Sequence, residues 1–370
     1  MKKLEAKTPP ALLVADAAGH ILERIALTWC AHGWGEEMEV VLSEKVSLTE
    51  CCRRGVASGG IHWLDRRRGV RAASATSCPQ IVTIYHHLAG EEEEISRLAK
   101  EADVLTAGSV LWQERLQRLT GQPVWLTPQS VDTEWFQPEP GKKAKQREAG
   151  IPVENLAVGF VGKAGANVAD RKGTDIFFQV VMALAGQRPT AVVLTGTGWE
   201  ALAGRLRACG INVVQRSYDN CNATREAYGL MDVLLVTARE EGGPATVLEA
   251  MACGVPVVAS PVGHVSEVIR EGETGLLAES GNVSAYLTAL ERLDRGRELR
   301  ERLQSAGRDL VVKERDDRVV VPQIDFAGIW QTARERFAQR SGSELRKRQQ
   351  RWRWLNWRQT LAGLVRGRTG

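Results

Sequence analysis

The chain has 370 residues, 43% of them hydrophobic and 25% charged, which is enough for two domains with separate cores. A net charge of only +4 argues against a nucleic-acid-binding role for the whole chain, and no run of about 18 apolar residues exists to span a bilayer. Seven cysteines without a C-x-x-C pair, and a start without an apolar leader, read as a protein of the reducing cytoplasm whose thiols are buried rather than zinc-bound.

The first half alternates short apolar runs with helical stretches, the pattern of a parallel α/β domain. Ala11–Ala15 opens it as a strand, followed by a loop with Gly19 and a helix from His20 to His32. Val40–Leu42 and Ile61–Leu64 read as further strands, and Ile81–Tyr85 is the clearest, ending in His86-His87. A helix over Glu91–Glu101, a strand at Val104–Thr106, a helix over Leu111–Leu119 and a strand at Val124–Thr127 complete residues 1–137. The Pro-, Gly- and Lys-rich stretch 138–150 reads as a linker.

The second half, 151–320, restarts with the strand Leu156–Gly162. It continues with helix Asp175–Ala185, strand Ala191–Thr195, helix Glu200–Ala208, strand Val213-Val214 and helix Thr224–Leu230. Val233–Ala238 then reads as a buried strand, and Ala245–Cys253 as a helix ended by Gly254. Between them lie Glu241, Gly242, Gly243 and Pro244. The glycines let the backbone bend close to a ligand, Pro244 suits a first helical turn, and free amides near Thr246 and Val247 would face a diphosphate. Glu249, eight residues after Glu241, places a second carboxylate where it can act on a different hydroxyl of the same ligand. Ligands of open α/β sheets sit beyond the carboxyl ends of strands, so two Rossmann-like domains with facing sheets would form a cleft.

Glu241 to Ala259 resembles the donor-site signature of the family 4 retaining glycosyltransferases of the GT-B fold: Glu, seven residues, Glu, then Ala-Met-Ala-Cys-Gly-x-Pro-Val-Val-Ala. The resemblance runs from about Val124 to Leu277. Within it, Gln129-Ser130 stands where the family has Asn-Gly and Gly162-Lys163 where it has Gly-Arg, while Lys172-Gly173 matches. It implies a nucleotide diphosphate sugar as donor substrate and transfer with retention to an acceptor hydroxyl, on a surface glycan or lipid-linked saccharide. It also implies that no metal or other cofactor is needed. Residue by residue, it implies Glu241 at the donor sugar and Glu249 at the ribose. Lys163 and Lys172 fall at the pyrophosphate, with Arg171 an alternative to Lys172. His86 or His87 falls at the donor sugar, and Gly19 at the phosphate. A catalytically silent sugar-nucleotide-binding or glycan-binding subunit, or an epimerase on the same architecture, remains open at this point.

Residues 321–370 form a C-terminal helix and tail. From Arg340 onward nine basic residues stand against Glu344 alone, so the rest of the chain is mildly acidic. Arg351-Trp352-Arg353-Trp354 with Trp357 could lie in anionic headgroups at the inner face of the cell membrane, or could pack back onto the first domain; RNA is a weaker fit.

Overall fold

The computed structural model describes residues 11–17, 20–34, 38–163, 171–216 and 221–366. The chain divides into two compact units, one formed by the residues up to Pro128 together with those from Val321 onward, the other by Gln129–Val320.

The first unit holds six strands: β1 (Leu12–Ala15), β2 (Glu39–Leu42), β3 (Ile61–Trp63), β4 (Gln80–Thr83), β5 (Val104–Ala107) and β6 (Val124–Leu126). They are all parallel, in the order β2-β1-β3-β4-β5-β6. Helices fill the crossovers, and their starts follow local chemistry. Ser47, Asp65 and Ser109 each accept a first-turn amide with the side chain, satisfying donors that the helix itself cannot. One face of the sheet is covered by chain from the far end of the sequence: Phe326, Ile329 and Trp330 of the helix Phe326–Ala338 pack with Leu13, Trp29 and Ile81.

The second unit has β7 (Leu156–Val161), β8 (Thr190–Thr195), β9 (Asn212–Arg216), β10 (Val233–Val236), β11 (Val257–Ala259) and β12 (Leu276–Leu277). Its order is β12-β11-β10-β7-β8-β9, again parallel throughout. Val192, Val193 and Leu194 of β8 and Val233 to Leu235 of β10 are buried, as expected of strands covered on both faces. Chain order reverses between β7 and β10, so the loops after these two strands diverge and leave a crevice at their carboxyl ends.

The stretch 138–150, expected as a linker, carries a helix over Lys142–Glu148 that belongs to the second unit. Gln146 is fully buried there and donates to the Leu230 carbonyl at 2.9 Å and to Asp232 at 3.2 Å. Three lysines gave the segment a solvent-facing look, yet Gln146 is buried and Lys142 pairs with Asp232 at 3.3 Å. A final helix, Gly342–Arg366, lies on the first unit through Arg348, whose guanidinium donates to the carbonyls of Thr76 and Glu101.

Candidate functional site

The crevice at β7 and β10 is stitched by its own backbone. Gly173 sits at φ 65°, and a Cβ there would lie 2.0 Å from the Thr237 carbonyl oxygen, so only glycine permits this approach. The Thr237 hydroxyl, at the end of β10, donates to the Lys172 and Gly173 carbonyls at 3.0 and 2.9 Å. The Arg239 amide donates to the Arg171 carbonyl at 2.8 Å, and its guanidinium grips Asp175 in two bonds of 2.8 and 2.6 Å. Residues 171–175 and 237–241 are thereby held side by side.

That seam delivers two cations to one carboxylate. Glu241, only 8% exposed, receives the Arg171 guanidinium at 2.6 Å on Oε2 and the Lys172 ammonium at 2.8 Å on Oε1. The Lys172 side chain passes over Gly162, with its Cε 2.8 Å from where a Cβ would stand, which brings the end of β7 and exposed Lys163 to the same corner. Charge-assisted bonds of this kind are short and strong, and the low exposure limits screening.

The helix Ala245–Ala252 begins four residues after Glu241 with Pro244 at its cap, whose side chain bonds none of the first-turn amides. The Val247 amide turns back to the Pro244 carbonyl at 2.9 Å, so the uncapped amides at the helix start are those of Ala245 and Thr246. Such a start attracts an anion. One turn on, Glu249 is 0% exposed and accepts the Tyr228 hydroxyl at 2.7 Å on Oε2. Both carboxylates of the pair are therefore turned inward.

Gly243 lies between two buried polar side chains. A Cβ on it would stand 2.5 Å from His264 Nδ1 and 2.7 Å from Gln129 Oε1. Among the described residues, neither His264 ring nitrogen has a hydrogen-bond partner, nor has that Gln129 oxygen. Burial first, and then the neighbouring Arg315 guanidinium, push the His264 pKa down to about 3 against the pull of Glu241. The imidazole is neutral at pH 7 and keeps one donor and one acceptor nitrogen.

A sequence model described as "Glycosyl transferases group 1" matches residues 155–295, a span that contains Lys163, Arg171, Lys172, Glu241 and Glu249. Residues 155–295 are a group 1 glycosyl transferase domain. A D-inositol 3-phosphate glycosyltransferase of Actinosynnema mirum is 31% identical over 58% of this chain and 53% of its own length. A GDP-mannose-dependent alpha-(1-6)-phosphatidylinositol monomannoside mannosyltransferase of Mycolicibacterium smegmatis is 28% identical over 61% of this chain and 62% of its own. The chain thus spans between half and two thirds of the length of these curated relatives. The crystal structure of Anabaena Alr3699/HepE in complex with UDP and glucose superposes with a TM-score of 0.73, covering 88% of this chain and 100% of that one at 15% identity. The fold is GT-B, with two Rossmann-like units.

In the group 1 domain the structure gathers Glu241, Gly242, Gly243, Lys172 and the Thr246 helix start at one strand-end crevice, with Glu249 buried one turn behind. His86 and His87 belong to the other unit, in the segment following β4. His87 sets its ring edge-on to Trp112 at 5.2 Å, and its Nδ1 lies 3.2 Å from the Leu88 carbonyl oxygen. Gly19 lies outside the described residues. Three features were not legible from the sequence: the grip of Arg171 on Glu241, the His264–Gln129 pair, and a polar group at the strand ends of the first unit. In that group, Asp16 Oδ1 and the Tyr85 hydroxyl are buried without a hydrogen-bond partner among the described residues. The only sequence signal for His264 is its place in the Val262–Val265 turn shortly after β11, a position from which a side chain reaches the carboxyl edge of the sheet.

Proposed function

We propose that this chain moves a sugar from a nucleotide diphosphate sugar to an acceptor hydroxyl, with retention of configuration and without a divalent metal. What carries the reading is the inward carboxylate of Glu241 held by Arg171 and Lys172 beside an uncapped helix start. When the glycosidic C1–O bond breaks, its electron pair goes to the diphosphate. Arg171, Lys172 and the Ala245 and Thr246 amides are fixed positive groups that meet that charge with little reorganisation. The acceptor oxygen forms the new bond to C1 and gives its proton to the departing phosphate oxygen, so no separate base is required. Glu241 then orients the donor sugar and Glu249 the ribose. The exposed Lys163 supplies a further cation at the end of β7.

The acceptor is a glycan or a lipid-linked saccharide, in keeping with the inositol phosphate and phosphatidylinositol substrates in the names of the relatives. At the strand ends of the first unit, the Tyr85 phenol is pushed up in pKa by burial and then by Asp16. It stays a neutral hydroxyl donor there, suited to an acceptor hydroxyl. A cytoplasmic location fits the free thiols of Cys30, Cys51, Cys52, Cys78, Cys209 and Cys253.

The test has two stages. A thermal-shift panel of UDP, GDP and ADP sugars identifies the donor, because a ligand of the folded state raises its melting temperature. Product analysis with that donor, with and without saccharide acceptors and in EDTA, then reads transfer and anomeric configuration. Donor stabilisation without turnover on any acceptor would favour a silent binding subunit, and loss of transfer in EDTA would overturn metal independence.

A further inference from the structure

The final helix, Gly342–Arg366, presents two opposite faces. One is docked on the first unit: Arg348 is 2% exposed and bonded to the Thr76 and Glu101 carbonyls, and Trp352 packs against the core that contains Cys52, Trp63 and Leu98. Trp354 and Trp357 are 52% and 60% exposed. At about 100° per residue, positions 354, 357, 361, 364 and 365 fall on one stripe of about 100°, centred about 180° from the docked positions 348 and 352. From Trp354 onward every residue of that stripe is Trp, Leu or Val, while nearer the helix start the same stripe carries Ser343, Arg346, Lys347 and Gln350. Exposed Arg346 and Lys347 lie on its first part and Arg353 borders it, while Arg351 is held by Glu101 at 3.2 Å, and the helix carries seven basic residues against Glu344 alone.

We propose that this outer face is a docking surface for an anionic lipid membrane, on which the helix lies flat. Indole rings favour the boundary between headgroups and acyl chains, where the ring is apolar and the N–H remains wet. The arginines alongside would meet lipid phosphates, each adding about fivefold to binding at a negatively charged surface. The Arg348 and Trp352 anchors fix the orientation, so the tryptophans need not leave the protein core to reach lipid. Among the described residues no helix is long and apolar enough to cross a membrane, and the contact is therefore peripheral. Nucleic acid would also attract the arginines, but it offers no apolar layer to a stripe that continues from tryptophan into leucine and valine.

The full chain is tested by co-sedimentation with vesicles of phosphatidylcholine alone and of phosphatidylcholine with phosphatidylglycerol, while tryptophan emission is followed. Binding to the anionic vesicles with a blue shift is expected, weakened by high salt. The Trp354→Ser/Trp357→Ser double variant should bind at least about tenfold more weakly, with melting within about 2 °C of wild type because both rings are exposed. Arg346→Glu/Arg353→Glu should lose anionic selectivity. Equal binding to both vesicles, no binding, or an unaffected tryptophan variant overturns the proposal. So does tighter binding of a single-stranded RNA, or a concentration-dependent dimer abolished by the tryptophan substitutions. These readouts use no donor or acceptor, so their failure leaves the transferase reading standing, and the reverse holds too.

Discussion

Replacing Glu241 by Gln separates two roles that the same carboxylate plays. In the free protein it neutralises Arg171 and Lys172 at 2.6 and 2.8 Å, with all three side chains less than a fifth exposed. Gln keeps one oxygen acceptor but removes the charge, leaving two largely buried cations without a counterion. Charge-assisted bonds contribute about 1.5–3 kcal/mol each, and the retained acceptor recovers part of one, so a loss of about 2 kcal/mol is expected. For a unit of this size that lowers the melting temperature by roughly 4–8 °C. A nucleoside diphosphate supplies the missing negative charge. UDP or GDP, whichever the panel selects, should therefore stabilise Glu241→Gln by more than it stabilises wild type, while sugar transfer falls by at least about a hundredfold. Differential scanning fluorimetry against nucleotide concentration measures both melting shifts, and chromatography of labelled product measures transfer. If the variant melts like wild type, the cations do not depend on Glu241. If it binds the diphosphate more weakly than wild type, they do not receive the leaving group and the site has been misassigned.

Glu249→Ala should erase any preference for a ribonucleoside diphosphate over its 2′,3′-dideoxy analogue in titration calorimetry, and Tyr228→Phe, which removes only the 2.7 Å donor to that carboxylate, should weaken the preference without erasing it. Gly243→Ala should cost about 1–3 kcal/mol by driving a methyl group against His264 and Gln129, and Gly243→Ala/His264→Gly should recover at least about 1 kcal/mol in a urea double-mutant cycle. Asp316→Asn should destabilise the protein by about 1–3 kcal/mol at pH 7, because the carboxylate accepts from Thr133 and Arg318. Burial would raise the pKa of Asp316, but these bonds outweigh it and hold the folded value well below the ordinary carboxylate range. Stability from this group is therefore complete above the unfolded pKa and fades as pH falls below about 4, so melting curves of variant and wild type should converge in acid.

The sequence announced those parts of the fold whose pattern is continuous. β7 and β10 are unbroken apolar runs and β8 is one between Thr190 and Thr195, and alternation with helices predicted two parallel sheets. Helix Leu48–Ser58 escaped because its buried residues are Cys51, Cys52 and Gly55, small side chains that carry little periodic signal on either side of Arg53 and Arg54. Helix Phe326–Ala338 was legible only as a C-terminal segment, since its core role depends on partners some three hundred residues earlier. The two glutamates and the diglycine were readable from spacing, and Lys172 from the family resemblance. Arg171 was one of two candidates for a single position, and in the structure both it and Lys172 are used, because the Glu241 carboxylate has two oxygens facing two side chains. His264 and Gln129 were invisible as a pair, being separated by most of the second unit and joined only by the close packing at Gly243.

Gln129–Val320 is a single uninterrupted stretch, whereas the first unit is completed by Phe326, Ile329 and Trp330. During synthesis the later-made body can therefore close first, while the earlier one waits with one side of its sheet uncovered until residues 321–338 emerge from the ribosome. Leu13, Trp29 and Ile81 are then the surfaces that a nascent-chain chaperone would have to shield.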